Sequence, residues 1–178
     1  QTPPLDLKQV EVIKGSASTL YGGGAIAGLV NLISKTPTEE RDLRFHLNGS
    51  SGRGFDLNGF YGQRFKKIGT TIFASHNRNW AYDPANIGLT AIPKFERYVF
   101  NPKLFVYFND KTKLNFGVNT AIENRIGGDI KSIEGQGNST NSFFEENKTQ
   151  RYSTQFTFDH TINENSFLRF KNSYSFFN

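Results

Sequence analysis

From Leu43 onward, apolar and polar residues alternate with a period of two, and this confines most of the chain to strands. Leu43, Phe45 and Leu47 alternate with Arg44, His46 and Asn48. Phe55, Leu57, Gly59 and Tyr61 alternate with Asp56, Asn58 and Gly62, with Phe60 as an interruption. Ile72 and Ala74 alternate with Thr71 and Ser75, in a strand running toward Trp80 and Tyr82. Phe100, Pro102, Leu104, Val106 and Phe108 share one face, with Asn101, Lys103, Phe105 and Tyr107 on the other. Leu114, Phe116, Val118 and Thr120 alternate with Asn115, Gly117, Asn119 and Ala121. The cleanest run sets Tyr152, Thr154, Phe156 and Phe158 against Arg151, Ser153, Gln155, Thr157 and Asp159, and Leu168, Phe170, Tyr174 and Phe176 close the series.

The pattern gives about seven antiparallel strands in up-and-down order. After a first Gly/Ser turn at 49–54, the connections alternate: short turns at 66–69, 109–111 and 163–165, longer loops at 83–96 and 124–148. Short turns at one end and long loops at the other are the arrangement of an outer-membrane barrel. A soluble β-sandwich with one solvated face, serving as a binding or adhesion module, satisfies the same alternation and remains the alternative from composition and periodicity alone. The mean hydropathy of −0.53 excludes neither, because a transmembrane barrel alternates and its average is polar.

Residues 10–36 follow different rules. Val10 to Ile13 is a short β-branched run suited to a buried strand. Lys14-Gly15 breaks it, Ser16 is placed to cap a short helix through Leu20, and Gly22, Gly23 and Gly24 allow a tight turn before a second β-type run from Gly28 to Ile33. Gly22-x-Gly24-x-x-Ala27 also fits a loose dinucleotide fingerprint, but that motif needs a strand directly before it and a long helix after it. The flanking residues supply the opposite, and a nucleotide-dependent enzyme would need helices that 43–178 does not encode.

This stretch resembles the end of the plug domain of TonB-dependent outer-membrane receptors, without a gap from Val10 to Lys35. Lys14, Gly15, Tyr21, Gly22, Gly24, Gly28 and Asn31 are the plug-motif positions that carry the resemblance. It departs at two places: Lys14 stands where the family usually has Arg, and Ser16 where it usually has Pro. The resemblance implies a mainly β fold, in which the C-terminal part of a plug (1–37) and a linker (38–42) lead into the N-terminal portion of an incomplete transmembrane β-barrel (43–178). The intact family barrel has about 22 strands and a plugged lumen. The early plug, the N-terminal segment that meets the TonB–ExbB–ExbD complex and the remaining strands would lie outside these residues.

The function so implied is TonB-dependent uptake of a scarce ligand across the bacterial outer membrane. A ferric siderophore is the first expectation; cobalamin, haem or a glycan would use the same mechanism. Arg78, Arg97, Arg125 and Lys131, near the outer strand ends, are the candidate ligand-facing residues, because basic groups draw an anionic ferric chelate. In the family the Arg at the position of Lys14 locks the plug to acidic groups of the wall. Lys keeps the charge without the bidentate fork, and Asp56 or Glu123 would be its partner. Trp80, Tyr82, Tyr98 and Phe100 fit an aromatic girdle against outer-membrane lipid.

No catalytic constellation is legible, and no cofactor is expected. His46, His76 and His160 fall on separate strands without metal-ligand spacing; His46 and His76 could line a lumen, and read first as polar filler of the surface or of the lumen. Cysteine is absent, so there is no disulfide framework and no thiolate metal site. The net charge of +5 is scattered rather than interleaved with stacked aromatics, which argues against a nucleic-acid partner.

Overall fold

The computed structural model describes residues 3–15 and 27–178. The helix expected from Ser16 to Leu20 and the motif positions Tyr21, Gly22 and Gly24 lie outside the described residues.

Two strands come first. β1 (Leu7–Lys14) pairs antiparallel with β2 (Gly28–Ser34), with Val12 opposite Val30 and Lys14 opposite Gly28. The run that reads as Val10–Ile13 extends back to Leu7, where Lys35 N donates to Asp6 O at 2.8 Å beyond the strand, and forward to Lys14, paired with Gly28. Gly28 is required at the closed end: its φ is +136°, and a Cβ there would stand 2.6 Å from the Ile13 carbonyl oxygen.

The remaining strands form one seven-stranded antiparallel meander in sequence order. These are β3 (Asp42–Gly49), β4 (Gly54–Phe65), β5 (Ile68–Asn79), β6 (Lys94–Tyr107), β7 (Thr112–Gly128), β8 (Phe144–Asn163) and β9 (Ser166–Phe177). A four-residue helix, α1 (Ile130–Ile133), sits in the last long loop. The sheet is open, with β3 and β9 as its edges.

Its two faces have inverted polarity. The outward face carries Leu43, Phe45 and Leu47 on β3, Leu104 opposite Phe116 across β6 and β7, and Phe158 opposite Phe170 across β8 and β9, most of them exposed. The inward face carries hydrogen-bonded polar groups. Asp56 accepts from Asn48 Nδ2 at 2.9 Å and Asn77 Nδ2 at 2.8 Å, and Ser75 Oγ lies 2.6 Å from Asn58 Oδ1. Asn58 and Asn77 are each 1% exposed, buried more deeply than any phenylalanine of the core. Apolar side chains outside and polar ones inside suit a wall between lipid and a hydrated lumen; a soluble sheet buries its apolar face.

The β1–β2 unit and the segment after it lie against the inward face. Lys103 Nζ donates to Ser34 Oγ at 2.7 Å, Lys35 Nζ lies 4.6 Å from the centre of the Phe60 ring, and Arg64 N donates to Thr38 O at 2.7 Å. Phe60, the apparent interruption in β4, therefore keeps strict alternation. It faces inward with Phe73 beside it, and both are 3% exposed.

Three expectations are corrected. The strand toward Trp80 and Tyr82 stops at Asn79, and Tyr82 makes only an isolated bridge to Ile92. The loop expected at 83–96 ends at 93, because β6 begins at Lys94 in ladder with Ile126. The loop expected at 124–148 shrinks to 129–143, because β7 and β8 stay paired from Asn124–Lys148 up to Gly128–Phe144. At about 3.3 Å per residue and a tilt near 40°, 17-residue β7 rises roughly 40 Å, above an apolar band of about 25 Å. Residues 124–128 therefore stand beyond the lipid, where Asn124 outside and Arg125 inside are both polar and period two loses its contrast.

Candidate functional site

The long loops, with the turn between β3 and β4, gather at one end of the sheet, and the short turns at the other. The short-turn end is also where 35–42 crosses to the wall, with Lys35 Nζ 3.0 Å from Asp42 Oδ2. The loop end is thus the outer end.

At that end the inward face carries a charged cluster. Arg97 on β6 is register-paired with Glu123 on β7, and its guanidinium bonds the Glu123 carboxylate. Arg125, two residues further on and so on the same face, places Nε 2.9 Å from Glu123 Oε1. Two guanidiniums share one carboxylate, which leaves N–H donors and a net positive charge facing inward. Phe95 lies beside both cations, 5.9 Å from Arg97 and 5.5 Å from Arg125.

Two cavities border this cluster. The deeper, of 630 Å³, lies between the wall and the first strands: Pro3, Asp6, Leu7 and Leu32 line one side, Arg97, Asn101, Glu123 and Arg151 the other. The upper, of 450 Å³, lies under the loops and is lined by Thr90, Pro93, Arg125, Gly127, Phe143 and Asn147. Arg97 and Arg125 stand between them.

The loops over the upper cavity are tied to each other. Thr90 N donates to Gly128 O at 3.0 Å, Gly128 N donates to Thr90 Oγ1 at 2.9 Å, and Ile130 N donates to Gly88 O at 2.9 Å. Asp129 fixes the other side, accepting from Phe143 N at 3.0 Å. Gly128 is the position that allows this crossing, with φ +128° and no room for a Cβ against Phe143 O at 2.4 Å.

The sequence-derived candidates separate accordingly. Arg97 and Arg125 come together on the inward face. Lys131 lies in α1, within the outer loop. Arg78 points the other way: it shares the outward face with Phe55 and Trp80, whose rings lie 5.6 Å and 4.3 Å from its guanidinium. Of the motif positions, Gly15 has φ +94° at the end of β1, and Asn31 Nδ2 donates to Glu11 Oε2 at 2.8 Å across the β1–β2 ladder. Lys14 is exposed at the end of β1, Asp56 and Glu123 make the contacts described above among others, and among the described residues Ser34, Lys35 and Lys103 join the first strands to the wall.

His46 faces inward, 3.2 Å from Asn58 Nδ2, and His76 faces outward against Glu96 and Tyr98, so of the two only His46 is on the lumen side. Sequence reasoning passed over Arg151, whose place in the inward alternation of β8 with Ser153 and Gln155 was the available signal. Among the described residues, no group of three or more His, Cys, Asp or Glu could hold a metal ion. No helix there is long and apolar enough to cross a membrane, which says nothing of strands.

With this geometry in hand, the comparisons with known proteins converge. The family model for the TonB-dependent receptor plug domain matches residues 1–29. The metal-pseudopaline receptor CntO of Pseudomonas aeruginosa is 47% identical over 45 residues, covering 25% of this chain and 6% of the relative. The ferric enterobactin receptor PirA of the same species is 46% identical over 37 residues, 21% of this chain and 5% of the relative. The ferric aerobactin receptor of Klebsiella pneumoniae is 39% identical over 49 residues, 28% of this chain and 6% of the relative. The crystal structure of the siderophore receptor PiuA from Acinetobacter baumannii superposes with a TM-score of 0.73 at 17% identity, over 96% of this chain and 26% of that one. The matches thus span about a twentieth of the curated relatives and a quarter of the solved receptor.

A plug-type hairpin against the polar side of an up-and-down wall defines a plugged outer-membrane barrel. Residues 1–29 carry the TonB-dependent receptor plug domain, the relatives matched are receptors rather than enzymes, and the wall has the fold of a siderophore receptor's barrel.

Proposed function

We propose that this chain is the end of the plug and the first strands of the wall of a receptor that takes up a ferric siderophore across the outer membrane, driven by TonB–ExbB–ExbD. The observation that carries the reading is the Arg97–Glu123–Arg125 cluster on the inward face, between a cavity under the outer loops and one against the plug hairpin. The Arg97–Glu123–Arg125 cluster itself carries one net positive charge, which draws an anionic chelate descending past Glu145 from the loops. The fixed guanidinium forks suit the oxygen pairs of carboxylate, hydroxamate or catecholate groups. The relatives named for ferric enterobactin, ferric aerobactin and metal-pseudopaline support the same cargo class. Lys131 extends the basic surface into the loop.

The test is complementation of a receptor-deletion strain with the full-length gene, followed by uptake of radiolabelled cargo. Rescue on one ferric chelate is expected, with Arg97→Gln and Arg125→Gln each raising the half-saturating concentration roughly tenfold, as for the loss of a charge-assisted hydrogen bond. Rescue on cobalamin, haem or a glycan instead would overturn the siderophore reading and keep the transporter. Rescue on none, with the protein outside the outer-membrane fraction, would overturn both.

A further inference from the structure

Strict alternation puts one set of polar side chains on the membrane side of the wall. His76, Arg78, Glu96 and Tyr98 occupy the outward register of β5 and β6, directly above Ala74 and Phe100. They are organised. The His76 and Tyr98 rings stack at 4.6 Å with 10° between their planes. His76 Nε2 lies 3.0 Å from Glu96 Oε1, and the Tyr98 hydroxyl donates to that same oxygen at 2.7 Å. Arg78 is held over Trp80.

Two cavities stack on this face. The lower is an apolar furrow of 540 Å³, with Gly59 and Ala74 as its floor, Phe45 and Leu57 on one side and Phe100 and Ile122 on the other. The His76–Tyr98 pair closes its upper end. One register step higher is a polar cavity of 420 Å³ lined by Arg78, Trp80, Lys94, Glu96 and Glu146, with Ile133 of α1 beside them. An apolar slot leading up into a charged one has the shape of an amphiphile.

The depth is that of the outer interface. Counting outward from Ile68, an apolar band of about 25 Å at a tilt near 40° takes up roughly 10 residues, which ends beside Arg78. The cavity's charges suit a particular head. Arg78 and Lys94 take phosphate, while Glu96 and Glu146 take hydroxyl donors. A head with both is a phosphorylated sugar.

We propose that this outward surface binds one molecule of a phosphorylated, acylated glycolipid of the outer leaflet, an acyl chain in the furrow and the sugar phosphate on Arg78 and Lys94. The inference rests on the membrane placement of the wall and not on the identity of the cargo.

The full-length receptor is extracted from outer membranes in mild detergent, and its retained lipid is identified and counted by native mass spectrometry. One phosphorylated glycolipid per receptor is expected. The Arg78→Gln/Lys94→Gln receptor, which loses the phosphate contacts, and the Ala74→Phe receptor, which fills the furrow, are each expected to retain roughly tenfold less. Wild-type receptor exchanged into the same glycolipid stripped of its phosphates gives the same loss without any substitution. Full retention in these three samples, or a glycerophospholipid held equally well by the wild-type protein, would overturn the proposal.

Discussion

Phe116→Arg tests the orientation of the wall. Phe116 is on the outward face of β7, opposite Leu104 on β6 and Phe156 on β8. It stands four residues above Thr112, the inner end of the strand. At about 2.5 Å of depth per tilted residue that is roughly 10 Å into a band of about 25 Å, close to the midplane. A guanidinium there costs about 2–4 kcal/mol, which is roughly a 30- to 900-fold change in the folding equilibrium. Gln155 is at nearly the same depth, register-paired with Gly117 beside Phe116, but on the inward face. Gln155→Arg leaves its charge in the hydrated lumen and is expected to cost no more than about 0.5 kcal/mol, as at a solvated surface. The assay is denaturant unfolding of the full-length receptor in lipid bilayers, with heat-dependent gel migration as a second readout. Equal small effects at both positions would refute the assignment of faces, because a soluble sheet with this face in water accepts Arg at Phe116 at little cost.

Three further outcomes are expected. Asp159→Asn leaves Arg169, now bonded at 2.6 and 3.1 Å, and Lys113, at 3.7 Å, without their shared anion; because both cations are about half exposed to water, the expected cost in the same unfolding assay is about 1 kcal/mol. Gly28→Ala forces a Cβ against the Ile13 carbonyl at a positive φ, so the β1–β2 hairpin is expected to lose about 1–3 kcal/mol and be cut faster by protease while the wall stays intact. A double-mutant cycle of Lys103→Met and Ser34→Ala, read by the same protease protection, is expected to show a coupling of about 0.5–3 kcal/mol, since these side chains join hairpin to wall.

The faces of the wall were legible wherever lipid on one side and lumen on the other enforce contrast, as from Tyr152 to Asp159. Legibility failed where the surroundings changed. Phe60 looked like an error in the alternation because nothing in β4 itself says that Lys35 and the plug side cover it. The sequence leaves His76 open between surface and lumen, because near the outer interface an outward position is polar too. The pairing of 124–128 with 144–148 was hidden for the same reason. At the candidate site, the basic residues were visible singly. Which of them meet depends on register: Arg97 opposite Glu123 brings Arg125 to the same carboxylate, and one strand's parity sends Arg78 to the opposite face. The glycines of the plug motif carried the family resemblance, and Gly28 shows a physical reason for one of them.

The most direct test of the membrane wall is a site-directed spin-label scan along β7 in the full-length receptor in bilayers. The chain contributes no cysteine of its own to the background. Labels at Leu114→Cys, Phe116→Cys, Val118→Cys and Thr120→Cys are expected to collide with oxygen, which concentrates in lipid. Labels at Asn115→Cys, Gly117→Cys, Asn119→Cys and Ala121→Cys are expected to be shielded from it and closer to the water-soluble nickel reagent. An oxygen profile that alternates with this period of two confirms that the apolar face meets the bilayer. Equal access of the nickel reagent to both sets would contradict it and return the chain to a sheet in water.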